Sequence, residues 1–192
     1  MPAPSLLWLR QDLRLHDQPA LAAAAREGPV IPVYVLDDKA PGRWAIGGAQ
    51  RWWLHHSLER LAESFERLGS RLILRRGRAD MELKRLATET GATRIHATQQ
   101  YEPWWRRLEG DVGEALDLVL HTGNVLAPPE HVRTGAGAPY KIYTPYWRAL
   151  QALLPPPEPL EAPTRLQQPE RLVPTGRTAG QTVVGRPVGA SR

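Results

Sequence analysis

The sequence predicts an α/β fold: a Rossmann-like five-stranded parallel sheet with helices on both faces, followed by a disordered C-terminal tail. Three observations carry that expectation. Short apolar runs alternate with helical periodicities over loops of a few residues, the order produced when crossover helices join parallel strands. The runs Leu6-Leu7-Trp8-Leu9 and Val30-Ile31-Pro32-Val33-Tyr34-Val35-Leu36 are apolar at consecutive positions, as strands buried on both faces must be. The alternation then stops at Pro155-Pro156-Pro157, beyond which large apolar side chains are too few to offset the entropy of ordering.

The elements follow in order. After the first strand, Asp17 is expected as the N-cap of a helix that has Pro19 in its first turn and stops at Gly28-Pro29. In the second strand Pro32 lacks an N–H for the ladder, so it belongs near the strand's beginning or at a bulge. A long helix runs from about Gly48 to Leu68, with Leu54, Leu58, Leu61, Phe65 and Leu68 along one face and Gly69 as its stop. Residues 71–75 form the third strand, and Asp80 is expected to cap a helix ending at Gly91. The fourth strand spans 94–97, Pro103 opens the next helix after Glu102, and 117–121 completes the sheet. A turn-rich stretch leads to a short helix opened by Thr144-Pro145. The predicted boundaries are therefore a domain over 1–154 and a Pro/Gly/Arg-rich linker and tail over 155–192.

Composition narrows the class. The chain has 192 residues and no cysteine, which excludes disulfides and thiolate metal sites. Its formal net charge is +5, but the segment 155–192 holds five Arg against three Glu. The basic excess is thus a weak pointer to nucleic acid for the folded part. The start carries no positive segment before an apolar core, and no run approaches membrane-spanning length. A cytoplasmic protein with no membrane partner is the expectation.

In a sheet whose chain crosses over between its first and fourth strands, the ligand crevice opens at the carboxyl ends of those two. The lining loops would be 10–18 and 98–105, bordered by 37–43 and the start of the long helix. Most phosphate-binding turns there are glycine-rich; this one has no glycine and carries Arg10, Asp12, Arg14 and Asp17. Arginines, carboxylates, amides and aromatics suit a flat, polar, conjugated ring. The candidate binding residues are Arg10, Asp12, Tyr34, Asp37, Asp38, Gln50, Arg51, Gln100, Tyr101 and Glu102. Arg10 and Asp12 could instead form a mutual ion pair that only shapes the turn. Of Trp52 and Trp53, one is expected in the core and the other at the ligand pocket's edge. No metal site is expected: His16 stands alone, and His55-His56 shows no partner two or three positions on. The cluster Arg75-Arg76-Gly77-Arg78 reads as a solvated face.

The string Trp8-Leu9-Arg10-Gln11-Asp12-Leu13-Arg14-Leu15-His16-Asp17 closely resembles the N-terminal signature of the DNA photolyase and cryptochrome family. The strings 47–58, Gln100-Tyr101-Glu102-Pro103 and 140–147 resemble three further segments of that family, in order. Together they cover residues 5 to about 154. The resemblance implies a light-driven DNA-repair flavoprotein, a carbon–carbon lyase acting on pyrimidine dimers. In that family a helical domain holds FAD, and an N-terminal α/β domain holds an antenna pigment. This chain corresponds to the antenna domain. The helical domain lies outside its 192 residues, so no catalytic residue is expected here and the chain alone should not repair DNA. Residues 140–154 are expected to dock on that helical domain. Folate-binding members carry an Asn-Glu pair after the Tyr-Glu motif, where this chain has Trp104-Trp105. A deazaflavin or flavin-type pigment, or none, is therefore expected ahead of a reduced folate. Two other classes stay open: a cryptochrome-type light receptor and a stand-alone Rossmann-like flavin or nucleotide binder.

Overall fold

The computed structural model describes residues 2–169. Its sheet holds β1 (Ser5–Leu9), β2 (Val30–Leu36), β3 (Ile73–Arg76), β4 (Arg94–Thr98) and β5 (Asp117–His121), in the order β3-β2-β1-β4-β5. All four pairings are parallel. The helices are α1 (Pro19–Glu27), α2 (Gly48–Arg67), α3 (Ala79–Thr90), α4 (Pro103–Ala115) and α5 (Tyr143–Gln151). Among the described residues no helix is long and apolar enough to cross a membrane.

Every residue of the central strand β1 is buried, which is why its sequence shows no polar alternation. Leu6 and Trp8 face one core with Ile31, Val33, Ile73 and Ile95, sealed by Leu83 and Leu86 of α3 and by Leu108 and Val112 of α4. Leu7 and Leu9 face the other, with Leu36 and Leu74, under Leu21 and Ala24 of α1 and Leu58, Leu61 and Phe65 of α2. The apolar face expected on α2 is the one that packs, with Leu54 and Leu68 half-buried at its two ends. Each fully buried Leu or Phe contributes about 1.5–3 kcal/mol. Pro32 pairs with Leu7, while the β2–β3 register begins one residue later at Val33. Its missing N–H therefore removes no bond from that ladder.

Two helix starts differ from the sequence expectation, both because of long-range partners. Gln18, not Asp17, occupies the N-cap of α1. Asp17 adopts a left-handed φ of 50°, donates its N–H to Leu160 O at 2.7 Å and accepts from Leu160 N at 3.4 Å. Arg78 is the N-cap of α3, and Asp80 lies inside the first turn, paired with Arg78 at 2.7 Å. The orphan N–H of Ala79 is instead taken by Asp37 Oδ2, at 3.1 Å, from the loop after β2. The third strand also starts two residues later than expected, at Ile73.

The domain continues past Leu154. Residues 155–169, expected as linker, return across the α1 and α2 side of the sheet. Leu166 is 3 % exposed and part of that core, and its N–H bonds Leu68 O at 2.9 Å. Gln167 O accepts from Val30 N at 3.2 Å, on the side where β2 has no strand partner yet. A single leucine and a few backbone hydrogen bonds anchor the segment, so no periodicity announces it. The remainder of the expected tail, 170–192, lies outside the described residues. On α5 only Leu150 is buried; Ile142 and Tyr143 beside it are 68 % and 71 % exposed.

Candidate functional site

The crevice between β1 and β4 is filled by its own side chains. The Asp12 carboxylate accepts the Arg10 backbone N–H at 2.8 Å and the Gln18 amide at 2.7 Å. Gln18 Oε1 in turn accepts from Thr98 Oγ1 at 2.8 Å. The Arg10 guanidinium turns away from Asp12 to Glu109 of α4, at 2.7 Å, and to Thr98 O. Gln100 closes the set, its N–H on Glu109 Oε1 at 2.9 Å and its amide on Thr98 O at 3.1 Å. Arg10 lies against the faces of Trp8 and Trp105, at 4.3 and 5.2 Å from the ring centroids. Burial pulls the Arg10 pKa below its ordinary value, and Glu109 opposes that pull. Arg10 and Asp12 thus form no side-chain ion pair with each other, and neither stands at the surface. The partner of Arg10 sits 99 residues away, a contact no local pattern reveals.

An open cavity of about 680 Å³ lies beside this plug. Its floor is Arg10, Tyr34 and Trp105, and its rim is built by Asp37, Asp38, Arg43, Trp44, Gln50, Glu102 and Trp104. The volume falls in the ordinary range for ligand pockets. Trp104 and Trp105 meet at 4.1 Å between ring centroids. Trp44 is 67 % exposed, with Arg43 over its ring at 5.0 Å. Burial, then the Asp38 charge, pushes the Tyr34 hydroxyl up to about 12, so it stays a protonated donor at neutral pH. Burial raises the Asp38 carboxyl, but hydrogen bonds from Arg51 and Arg76 outweigh it and hold the group below its usual value.

The sequence-derived candidates divide between the two regions. Arg10, Tyr34, Asp37, Asp38, Gln50 and Glu102 line the cavity; Asp12, Arg51, Gln100 and Tyr101 do not. Asp37 is occupied, accepting Lys39 N and Ala40 N at 2.9 Å besides Ala79 N. Arg51 is held by Asp38 at 2.6 Å and by Ile46 O at 3.2 Å. The Tyr101 hydroxyl is buried without a partner, and burial raises its pKa. Trp52 and Trp53 are both exposed and line a separate groove with Leu13, Arg14 and His56, rather than the core or this cavity. Trp44 and Ile46 join the wall unannounced, because a short 3-10 turn at Gly42–Trp44 folds them over it. A lone Trp in a Gly/Pro-containing loop was the available signal.

The family model for DNA photolyase matches residues 5–164. The chain belongs to the DNA photolyase family. It is 40% identical over 174 residues to a deoxyribodipyrimidine photo-lyase of Agrobacterium fabrum, covering 88% of this chain and 36% of that protein. It is 32% identical over 169 residues to cryptochrome-2 of Arabidopsis thaliana, covering 82% and 28%. A bacterial class III photolyase from Agrobacterium tumefaciens superposes with a TM-score of 0.84 at 37% identity, covering 96% of this chain and 39% of that one. The chain spans about a third of the length of these curated photolyase-family relatives. The five-stranded α/β fold is the photolyase N-terminal fold.

Proposed function

We propose that this chain is the light-harvesting domain of a photolyase that acts on UV-damaged DNA, and that its cavity holds the antenna pigment. The observation that carries the reading is the contrast inside the site: beside a self-satisfied polar plug stands a cavity walled by Tyr34, Trp44, Trp104 and Trp105. Aromatic side chains around an opening of about 680 Å³ suit a flat conjugated ring, and ring stacking adds about 0.5–1.5 kcal/mol per pair beyond burial. On that floor the Tyr34 hydroxyl stays a protonated donor, with Arg10 Nε and Trp105 Nε1 buried beneath it without acceptors. Such a floor matches the carbonyl-bearing edge of a deazaflavin or flavin-type ring. Glu102, on the rim, makes no side-chain hydrogen bond among the described residues and is placed to accept from a ring N–H. Trp104 and Trp105 fill the positions where folate-binding members carry Asn and Glu, which favours the flavin-type ring over a reduced folate.

When bound, the pigment would supply absorption of near-ultraviolet or blue light. The protein's part is to orient the ring and exclude water from it. Dimer reversal by FAD-dependent electron transfer is assigned to a helical domain with which residues 140–154 would dock, so this chain alone should leave dimers intact. A cryptochrome-type receptor could use the same cavity, a reading supported by the 32% identity to the plant protein; the higher identity to the photo-lyase favours repair. Fluorescence titration with riboflavin, a 5-deazaflavin and a reduced folate tests the assignment. We expect saturable binding of the flavin-type rings in the micromolar range, weakened about tenfold in Trp44→Ala and in Glu102→Ala, a loss of about 1.4 kcal/mol. No binding below about millimolar sinks the antenna reading.

A further inference from the structure

We propose that His55, His56 and Glu59, on the solvent side of α2, form a binding site for a borderline divalent transition ion of the zinc or nickel class. The site is separate from the pigment cavity. His55 Nε2 lies 3.2 Å from Glu59 Oε1, and His56 Nδ1 lies 2.9 Å from Glu59 Oε2. All three donor atoms fall within 4.8 Å of one another. Positions three and four apart on a helix share a face, so Glu59 is the third donor that completes the adjacent histidine pair. Metal–ligand distances near 2.1 Å in a tetrahedral shell separate donors by roughly 3.4 Å. An ion can therefore replace the two hydrogen bonds with only small side-chain shifts.

Charge and donor type both favour such an ion. The Glu59 carboxylate has no Lys or Arg partner among the described residues; both its oxygens are turned to imidazoles. The nearest helical cation of that stretch, Arg60, pairs instead with Glu63 at 3.2 Å. Two imidazoles and one carboxylate suit zinc, nickel or copper, whereas magnesium and calcium take oxygen ligands. Three protein donors on an exposed face leave a coordination position open. The Trp52 ring stands edge-on to His56, with centroids 4.6 Å apart. His56 also forms one wall of the groove between α2 and Leu13-Arg14-Leu15. A bound ion would fix that wall and report its presence through the neighbouring indole.

The test uses the untagged chain, since an affinity tag would itself hold the ion. Zn²⁺ is titrated in competition with a chromogenic chelator, and Ni²⁺ is followed by quenching of tryptophan fluorescence. We expect one Zn²⁺ per chain in the micromolar range, unaffected by excess Mg²⁺. His55→Ala and Glu59→Gln should each weaken binding about tenfold or more, and His131→Ala, at an exposed histidine outside the cluster, should not. Trp52→Phe should remove most of the Ni²⁺ quenching while leaving the Zn²⁺ affinity unchanged. That readout is independent of any effect of the ligand variants on α2. Zn²⁺ binding that persists undiminished in the His55→Ala/His56→Ala double variant would overturn the proposal. So would the lack of saturable binding by the unaltered chain, or quenching that survives in Trp52→Phe.

Discussion

The crevice between β1 and β4 and the cavity beside it are neighbours built from the same kinds of residue, yet only one of them is open. In the crevice Arg10, Asp12, Gln18, Thr98, Gln100 and Glu109 hydrogen-bond to one another and are all buried. In the cavity Trp44 and Glu102 border open space, and among the described residues Arg43 meets only the Trp44 ring. Polar residues at the carboxyl ends of strands are thus not in themselves a ligand site. Those whose partners lie in the fold become structure, and those left without partners remain available for binding.

Three perturbations of decreasing size test that contrast. The largest is Glu109→Ala, which leaves the Arg10 guanidinium buried and unpaired. Breaking a buried pair from one side costs roughly 3–5 kcal/mol, so urea unfolding should shift by that amount. A loss under about 1 kcal/mol would mean the plug does not hold the crevice shut. Trp44→Ala, by contrast, should leave the unfolding free energy within about 0.5 kcal/mol, as an exposed side chain should.

The second is Gly123→Ala, behind the crevice. A Cβ there would stand 2.9 Å from Thr98 Cγ2 and 3.3 Å from Pro19 Cδ. Arg14 fixes this backbone by donating to Gly123 O at 2.7 Å, so the strain has little room to relax. Overpacking of this kind costs about 1–3 kcal/mol, and thermal unfolding should show it; an unchanged melting temperature would mean the loop yields freely.

The smallest effect is on pH dependence, in a third polar cluster under α1. His96 bridges His121 Nε2 at 3.0 Å and Glu27 at 3.2 Å, and Arg94 ties Glu27 to Asp117. Burial, then His96, lowers the His121 pKa below its ordinary 6.5. Burial raises Glu27, but His96 and Arg94 prevail and hold it below its ordinary 4.5. Both groups therefore bind protons more readily in the unfolded chain. The stability they contribute is complete above pH 6.5 and falls as the medium is acidified, first through His121 and then, below 4.5, through Glu27. The urea midpoint should drop between about pH 7 and 5.5, and His121→Gln should flatten that slope. An equal slope in the variant would assign the dependence to other groups.

Much of the fold was legible because it rests on local rules. Consecutive apolar residues mark doubly buried strands, the stripe from Leu54 to Leu68 marks the buried face of α2, and Gly91 stops α3 as expected, in a left-handed conformation. The sites were less legible. Arg10 reads as an exposed ligand group until Glu109 is brought to it from α4, and Asp37 reads as a ligand until Ala79 N–H reaches its second oxygen. His55-His56 reads as isolated unless Glu59 is counted at three and four residues.

By itself the sequence determined the alternation of strands and helices and the resemblance that names the family, because each depends on neighbours in the chain or on strings of residues. The tertiary structure decided which polar groups are consumed and which are free, and that Leu166 returns to the core after a proline-rich stretch. It also placed the exposed Trp44 at the rim of a cavity. Those outcomes depend on partners tens of residues away, and a buried polar group is settled by whichever partner the fold delivers to it.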